Sequence, residues 1–589
     1  MYTSIVADIA KKTLHTLYGL NQELSLQKTR KEFEGEITLL IFPLTKHIAE
    51  KPDAIAEKIG NHLCENYADI VAGFQVVKGF LNLSLQSNFW LTQLKNLQNL
   101  PKIGQMADSG KTFVVEYSSP NTNKPLHLGH LRNIFLGYAV ANILKSRGHQ
   151  VQKVQIINDR GIHICKSMLA WQKWGNGETP EQAGMKGDKL VGKYYVLFDK
   201  AYKEELKTLT ASGLSEEEAE KKSALMQEAQ SLLLAWEQGE TEVVALWQKM
   251  NTWVYAGFNE TYKNIAVDFD KLYYESNTYL LGKNVVEDGL QKNVFYKKED
   301  GSVWCDLTAE GLDHKLVLRK DGTSVYITQD LGTALERLKD FPSMNAMIYT
   351  VADEQDYHFK VLFAILKKMG YAWAASCYHL SYGMVELPFG RMKSREGTVV
   401  DADELLQEVK QVAQSQTEAL GKLTDASAEE KENLYQIIAL GAIKYFLLKV
   451  EPRKKMLFNP EESVQLQGDT APFVQYTYTR IQSLLRKTTV PELVWTAQTT
   501  LNAEEKEIIQ ELSHVEEVLN QAAQSYNPSL LINYVYELVR IYNSFYQNQQ
   551  ILKEPQADLQ ALRIVLSHEV GRCIARTLEI LGIQVPSRM

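Results

Sequence analysis

At 589 residues the chain is too long for one hydrophobic core, so roughly two to four domains are expected. Its 45% hydrophobic and 23% charged content is that of an ordinary globular protein, and no stretch of about 18 uncharged apolar residues occurs that could span a membrane. A net charge of −8 gives no bulk support to polyanion binding, and five scattered cysteines without a Cys-x-x-Cys pair argue against a zinc knuckle or a disulfide framework, so a reducing cytoplasm fits best.

The chain opens on MYTSIVADIAKKTLHTLYGL, which is amphipathic and charged, unlike a signal peptide. Residues 1–108 mix helical and strand signals. Leu81, Leu83 and Leu85 alternate with Asn82 and Ser84, the mark of a half-buried strand, and NLQNLPKIGQMADSGK reads as a linker. From Thr112 short apolar strands alternate with helices, the signature of a parallel α/β sheet. TFVVEY is a strand. After a polar loop, Leu131, Ile134, Phe135 and Tyr138 follow at helical spacing, with Gly148 placed as terminator. VQKVQIIND is the next strand, completing a β–loop–α–β unit whose ligands bind at the carboxyl ends of strands.

A charged, helix-favouring stretch at about 175–290 reads as an insertion into this domain, which spans 109–460. Strand-like segments resume at HKLVLRKDGTSVYITQDL, NAMIYTVAD and YHLSYGMVEL. Residues 461–589 carry long helical patterns such as LLINYVYELVRIYNSFYQ and predict a helical bundle. That last part holds 10 Lys and Arg against 15 Asp and Glu. RNA bound there would need a local basic stripe and stacking aromatics.

The segment SSPNTNKPLHLGHLRN carries the chemistry. A strand ends, two prolines stiffen the loop, and His127-Leu128-Gly129-His130 opens the helix. Free backbone N–H groups and the positive dipole end make such a start a natural phosphate site. Two imidazoles within one turn can donate hydrogen bonds to a triphosphate, and Gly129 lacks the side chain that would keep an adenine ring off the backbone. Lys124 adds a cation three residues earlier. The competing reading is a pair of histidines that merely cap a helix.

HLGH resembles the His-Ile-Gly-His signature of class I aminoacyl-tRNA synthetases, and VVEYSSPNTNKPLHLGHLRN resembles their arginine-specific branch. ELPFGRMKSREGTVV is similar to the Lys-Met-Ser-Lys-Ser loop, here Arg391-Met392-Lys393-Ser394-Arg395. SVYITQDLG, VADEQDYHF, GDTAPFVQYTYTRIQSLLRK and LGIQVPSRM extend the match, in the family's order, from about residue 112 to the end. The N-terminal segment resembles the additional domain this branch carries.

The resemblance implies a multidomain α/β protein: a Rossmann-type doubly wound catalytic domain, an N-terminal α+β domain touching the tRNA elbow, and a C-terminal all-α anticodon-binding bundle. It implies an arginine–tRNA ligase that makes an arginyl-adenylate from ATP and passes arginine to the 3′ end of tRNA(Arg). His127, Gly129 and His130 would hold ATP, with Arg391, Met392, Lys393, Ser394 and Arg395 over its phosphates. The family's two signature lysines appear as Arg391 and Ser394. Lys124 is the expected substitute, although Lys393 and Arg395 remain alternatives for the pyrophosphate contact. Glu116 and Asp330 would take the guanidinium, supported by Tyr326, while Asn121 and Gln355 would hold the α-amino end.

Tyr476, Tyr478, Phe545 and Tyr546 could stack on anticodon bases, with Met589 close by, against the usual rule that aromatics at helical spacing are core. Magnesium would come with ATP, without zinc. The expected partners are tRNA(Arg), L-arginine and ATP, with no DNA or membrane, for a cytoplasmic monomer. The rival readings are another class I synthetase or related nucleotidyltransferase, and a non-catalytic RNA-binding paralogue.

Overall fold

In the computed structural model, which describes residues 2–30, 32–279, 281–388, 400–419, 421, 426–496 and 499–589, the first hundred residues form their own α+β layer. Helices α1 (Tyr2–Tyr18) and α2 (Pro52–Asn66) pack together, and α2 lies on an antiparallel sheet. Its strands are β1 (Leu26–Lys28), β2 (Ile37–Leu40), β3 (Val71–Val77) and β4 (Phe80–Leu85), in the order β1-β2-β4-β3. Leu81, Leu83 and Leu85 of β4 share one buried face, as a period of two requires. Asn82 on the other face is buried as well and accepts a hydrogen bond from Thr38 at 2.7 Å, so at that position the strand is covered on both sides. Helix α3 (Ser87–Asn99) leads out of the layer.

The expected β–loop–α–β unit is β5 (Thr112–Glu116), α4 (Leu128–Ser146) and β6 (Gln150–Ile157). After α5 (Ile162–Trp174) comes the helical excursion: α6 (Pro180–Ala183), α7 (Gly187–Ala211), α8 (Glu216–Lys222), α9 (Ala224–Glu237) and α10 (Thr241–Asn264). The excursion closes earlier than about 290. Lys271–Tyr274 is β7, paired parallel with β6 at the edge of the central sheet.

Helices α11 (Glu275–Thr278) and α12 (Gly282–Gln291) then lead to a small antiparallel sheet of β8 (Phe295–Lys297), β9 (Val303–Cys305) and β10 (Lys315–Leu318). The segment VYITQDL, expected as strand, is instead the start of helix α13 (Tyr326–Asp340). Its buried Ile327, Leu331 and Ala334 recur at helical spacing, and burial of that stripe overrides the strand preference of Val, Tyr and Ile.

Strand β11 (Met344–Ala352), helix α14 (Asp356–Lys368) and strand β12 (Tyr378–Tyr382) complete the parallel sheet, in the order β12-β11-β5-β6-β7. Strand order reverses at β5, which has β6 on one side and β11 on the other. The carboxyl ends of β5 and β11 therefore flank the crevice where such sheets bind ligands. The short β13 (Val385–Glu386) precedes α15 (Ala402–Ala419) and α16 (Ala428–Leu448), and pairs in parallel with β14 (Met456–Leu457).

The regular structure of the C-terminal part is helical among its described residues: α17 (Pro460–Ser463), α18 (Ala471–Leu485), α19 (Ala503–Ser525), α20 (Ser529–Asn548) and α21 (Ala557–Ile580). Leu531, Val535, Leu538, Tyr542 and Phe545 form the buried stripe of α20. Among the described residues no helix is long and apolar enough to cross a membrane.

Candidate active site

Just past β5 the chain turns at Ser118, whose φ of 71° is a left-handed conformation rarely adopted by a residue with a side chain. Asn133, in the second turn of α4, holds that turn. Its Oδ1 accepts the Ser118 N–H at 2.6 Å, and its Nδ2 donates to the Thr350 carbonyl of β11 at 2.6 Å. One side chain thus ties α4 to both strands that flank the crevice.

His127 occupies the cap of α4, and its backbone N–H donates to Nδ1 of His130 at 3.1 Å. Because that Nδ1 accepts, the proton of neutral His130 sits on Nε2, which is left as a donor. The two rings lie 3.8 Å apart between centroids. Burial, reinforced by the charge of Lys124, lowers His127 to about 3, and burial with the nearby His127 and Lys124 lowers His130 well below the usual histidine value. Both imidazoles are neutral at physiological pH, each with one N–H to give. Nδ1 of His127 is buried without a hydrogen bond. The space over Gly129 is taken by the His127 ring, since a Cβ there would stand 3.2 Å from its Cε1.

Asp401 and His127 form an antiparallel backbone bridge, and the Ala402 N–H donates to the Leu126 carbonyl at 2.9 Å. The stem leading into α15 is thereby stitched to the histidine segment. Arg391, Met392, Lys393, Ser394 and Arg395 lie outside the described residues.

The acidic side is richer than the two carboxylates expected. Glu116, at the end of β5, is buried and ion-paired with Arg337 of α13, while its Oε1 accepts from Ser119 at 3.1 Å. Arg337 has 1% of its surface exposed and lies over the rings of Tyr273 and Tyr349. Asp330, half exposed on α13, meets His358 Nε2 at 2.5 Å. Glu275 follows β7 at the same rim. Burial, helped by the charges of Asp159 and Asp330 against that of Arg160, pushes it up to about 7.

Glu275 and Tyr326 line one cleft of about 600 Å³ with Arg160, Tyr279 and Gln329. Asn121 is exposed and bridges Asn158 where β5 and β6 part, and Gln355 is exposed in the turn after β11. Local patterns could not flag Arg337 or Glu275, because the partners that define them lie far away in sequence.

In the bundle, Tyr476, Tyr546 and Met589 line one groove of about 490 Å³ with Arg480, Arg486, Lys487 and Arg588. The Arg480 guanidinium lies 5.1 Å from each tyrosine ring centroid. Two of the expected stacking residues are not in that groove. Phe545 is fully buried in the bundle core, where no base could reach it, and Tyr478 is partly buried against the same core.

Two family models match the chain: tRNA synthetases class I (R), catalytic domain, over residues 93–459, and the DALR anticodon binding domain over 474–589. A curated protein of Flavobacterium psychrophilum named arginine–tRNA ligase is 55% identical and covers 98% of both chains. One of the same name from Phocaeicola vulgatus is 52% identical over 100% of this chain and 99% of its own. Among solved structures, Thermus thermophilus arginyl-tRNA synthetase matches with a TM-score of 0.80 at 25% identity, covering all of both chains.

Proposed function

The chain belongs to the arginine-specific branch of the class I tRNA synthetases, and on that footing we propose how its residues divide the work among arginine, ATP and tRNA. Its activity is that of an arginine–tRNA ligase, which uses ATP to join arginine to tRNA(Arg).

In the first step the arginine carboxylate attacks the α-phosphorus of ATP and pyrophosphate leaves. In the second, a ribose hydroxyl of the tRNA 3′ end attacks the carbonyl of the adenylate and AMP leaves. Neither step needs a covalent enzyme intermediate, so the side chains position the reactants and offset growing negative charge. His127 and His130 give N–H donors to the phosphates, with Lys124 the cation for the departing pyrophosphate. The observation that carries this reading is the close His127–His130 pair at the open end of α4: both rings neutral, with His130 held as the Nε2–H tautomer. Gly129 lies beneath the nucleotide, which requires the His127 ring to swing off the glycine. The segment Arg391–Arg395 would close over the phosphates.

Two neutral imidazoles and a lysine suit phosphate oxygens rather than a hard cation, so Mg2+ would be held through the nucleotide's own oxygens and water. For the guanidinium we assign Asp330 and Glu275, with Tyr326 alongside. Glu116 keeps a reduced part. Its charge is already matched by Arg337, so it can share an oxygen but adds no net attraction. Asn121 and Gln355 take the α-amino end. In the bundle, Tyr476 and Tyr546 would stack on splayed bases beside Met589, and Arg480 would meet phosphate. A cytoplasmic monomer, with the N-terminal layer at the tRNA elbow, completes the reading.

The test is arginine-dependent pyrophosphate exchange with tRNA present. His130→Ala should lower the exchange rate at saturating ATP by roughly 100-fold, as loss of one preorganised donor does elsewhere. A full rate in that variant would remove His130 from the chemistry.

A further inference from the structure

The chain carries 64 Lys and Arg against 72 Asp and Glu, yet its reaction brings a tRNA phosphodiester chain to the rim of the central sheet. At that rim, between α16 and β14, stands the turn Glu451-Pro452-Arg453-Lys454-Lys455. The Lys454 N–H closes it on the Glu451 carbonyl at 3.0 Å. Gly383, just past β12, donates to the Pro452 carbonyl at 2.9 Å, and Met456 donates to the Met384 carbonyl at 3.1 Å. A side chain at Gly383 would collide with the backbone of Lys454 and Lys455 at 2.7 Å.

From beneath, the turn is held by Arg132, which has no exposed surface and lies two residues past His130 on α4. Its Nη2 donates to the carbonyls of Pro452 at 2.9 Å, Lys454 at 3.0 Å and Glu451 at 3.4 Å, and its Nη1 to the Met456 sulfur. Among the described residues it has no carboxylate partner, and burial lowers it to about 10. Burying an unpaired guanidinium is costly, and this one is spent on the carbonyls of a single turn.

With those carbonyls directed inward, Arg453, Lys454 and Lys455 are all exposed. Lys454 pairs with Glu451 at 3.2 Å, whereas Arg453 and Lys455 make no ion pair among the described residues. Arg453 stands near enough to His379 to depress its pKa, after burial, the larger cause. His379 Nδ1 in turn meets Asp356, the residue after Gln355, at 2.9 Å. Arg453 therefore stands beside the crevice on its β11–β12 side.

We infer that this turn is a phosphate grip for the acceptor end of tRNA, held in register with the catalytic imidazoles by Arg132. The inference rests on the tRNA-charging activity above and extends it. Two cations on a rigid turn, without an ion pair among the described residues, suit successive backbone phosphates, which fix position without reading sequence. The register matters because the 3′ hydroxyl must meet an adenylate held by the first turn of the same helix that carries Arg132.

The experiment is steady-state charging of tRNA(Arg) by full-length R453Q/K455Q across a range of potassium chloride. The KM for tRNA should rise roughly tenfold, and the slope of log affinity against log salt should shrink by about 1.4 to 1.8, the value for two lost contacts. The KM for arginine and for ATP should stay unchanged, and R453K/K455R should restore the native slope. Arg132→Lys keeps its charge but cannot span three carbonyls, and should reproduce the shallower slope. Native tRNA kinetics in R453Q/K455Q would overturn the inference. So would a raised ATP KM with tRNA unaffected, which would assign the cations to the triphosphate. Failure of the unmodified enzyme to charge tRNA(Arg) would instead strike the parent reading.

Discussion

In the proposed arginine pocket, Glu275 is a carboxyl group that stands to gain from a bound guanidinium. In the free protein it holds its proton up to about pH 7, chiefly because burial disfavours its charge and because Asp159 and Asp330 stand near. Arginine's guanidinium is charged at every working pH and binds the ionised form. Below pH 7 the site must first shed a proton, whereas above it the carboxylate is ready. The KM for arginine should therefore fall as pH rises from 6 to 8, then level off. In Glu275→Gln it should be higher and nearly flat across that range. A flat profile in the unmodified enzyme would take Glu275 out of the pocket. That His127, His130 and Lys124 come together was legible in sequence because they share one loop and one helix start. The acid pocket was only half legible. The family resemblance named Glu116 and Asp330, but the charge balance around them depends on Arg337, which no local pattern couples to Glu116. The bundle aromatics make the same point, since Phe545 and Tyr546 are neighbours in sequence and only the second faces the groove.

The period of α20 was readable because one face meets the core, whereas β5 and α4, buried nearly all round, were readable from their apolar content and the loop between them. Elements whose character comes from their neighbours were not. α13 opens on residues that favour strands, and β7 has only four residues in a stretch otherwise helical. Packing between elements also explains Lys444 on α16, which composition could not predict. It is buried to 1% exposure, donates to the Gly582 carbonyl at 2.7 Å, and faces the rings of Phe135 and Tyr138 on α4. Burial lowers it to about 7. Between there and its unfolded value of 10.5 the unfolded chain binds the extra proton, so this group adds stability as pH rises. Lys444→Met leaves the Gly582 carbonyl unpaired, a constant penalty, but removes that slope. Denaturation midpoints at pH 7, 8 and 9 should show the unmodified protein gaining on the variant by up to about 1.4 kcal/mol per pH unit. A gap that does not change with pH would mean that Lys444 is not the buried titrating group.

On the scale of the whole molecule, the N-terminal layer is fastened to the helical bundle, a connection that separate domain boundaries do not suggest. Arg572 of α21 donates to the carbonyls of Leu97 and Gln98 at 3.4 Å and also to that of Leu100, at the end of α3. Trp495 donates to Asn88 at 2.6 Å, and Gln98 exchanges hydrogen bonds with the 491–493 backbone at 3.0 and 3.2 Å. Farther along, Lys506 pairs with Glu36 and Lys28 with Glu511. The bundle also packs on α4 through α19 and α21, so the groove of Tyr476 and Tyr546 is braced against the histidine helix by two routes. A tRNA that reached both that groove and the crevice would need their separation held constant, and the contacts of the N-terminal layer with the bundle would serve as a strut. Arg572→Ala removes one close and two long contacts from a charged donor to the carbonyls that close α3. Hydrogen–deuterium exchange should then quicken in α3 and in the facing part of α21, while the first turns of α4 keep their protection. Unchanged exchange at Leu97–Leu100 would show that the apolar packing of α3 on α19 holds the strut without Arg572.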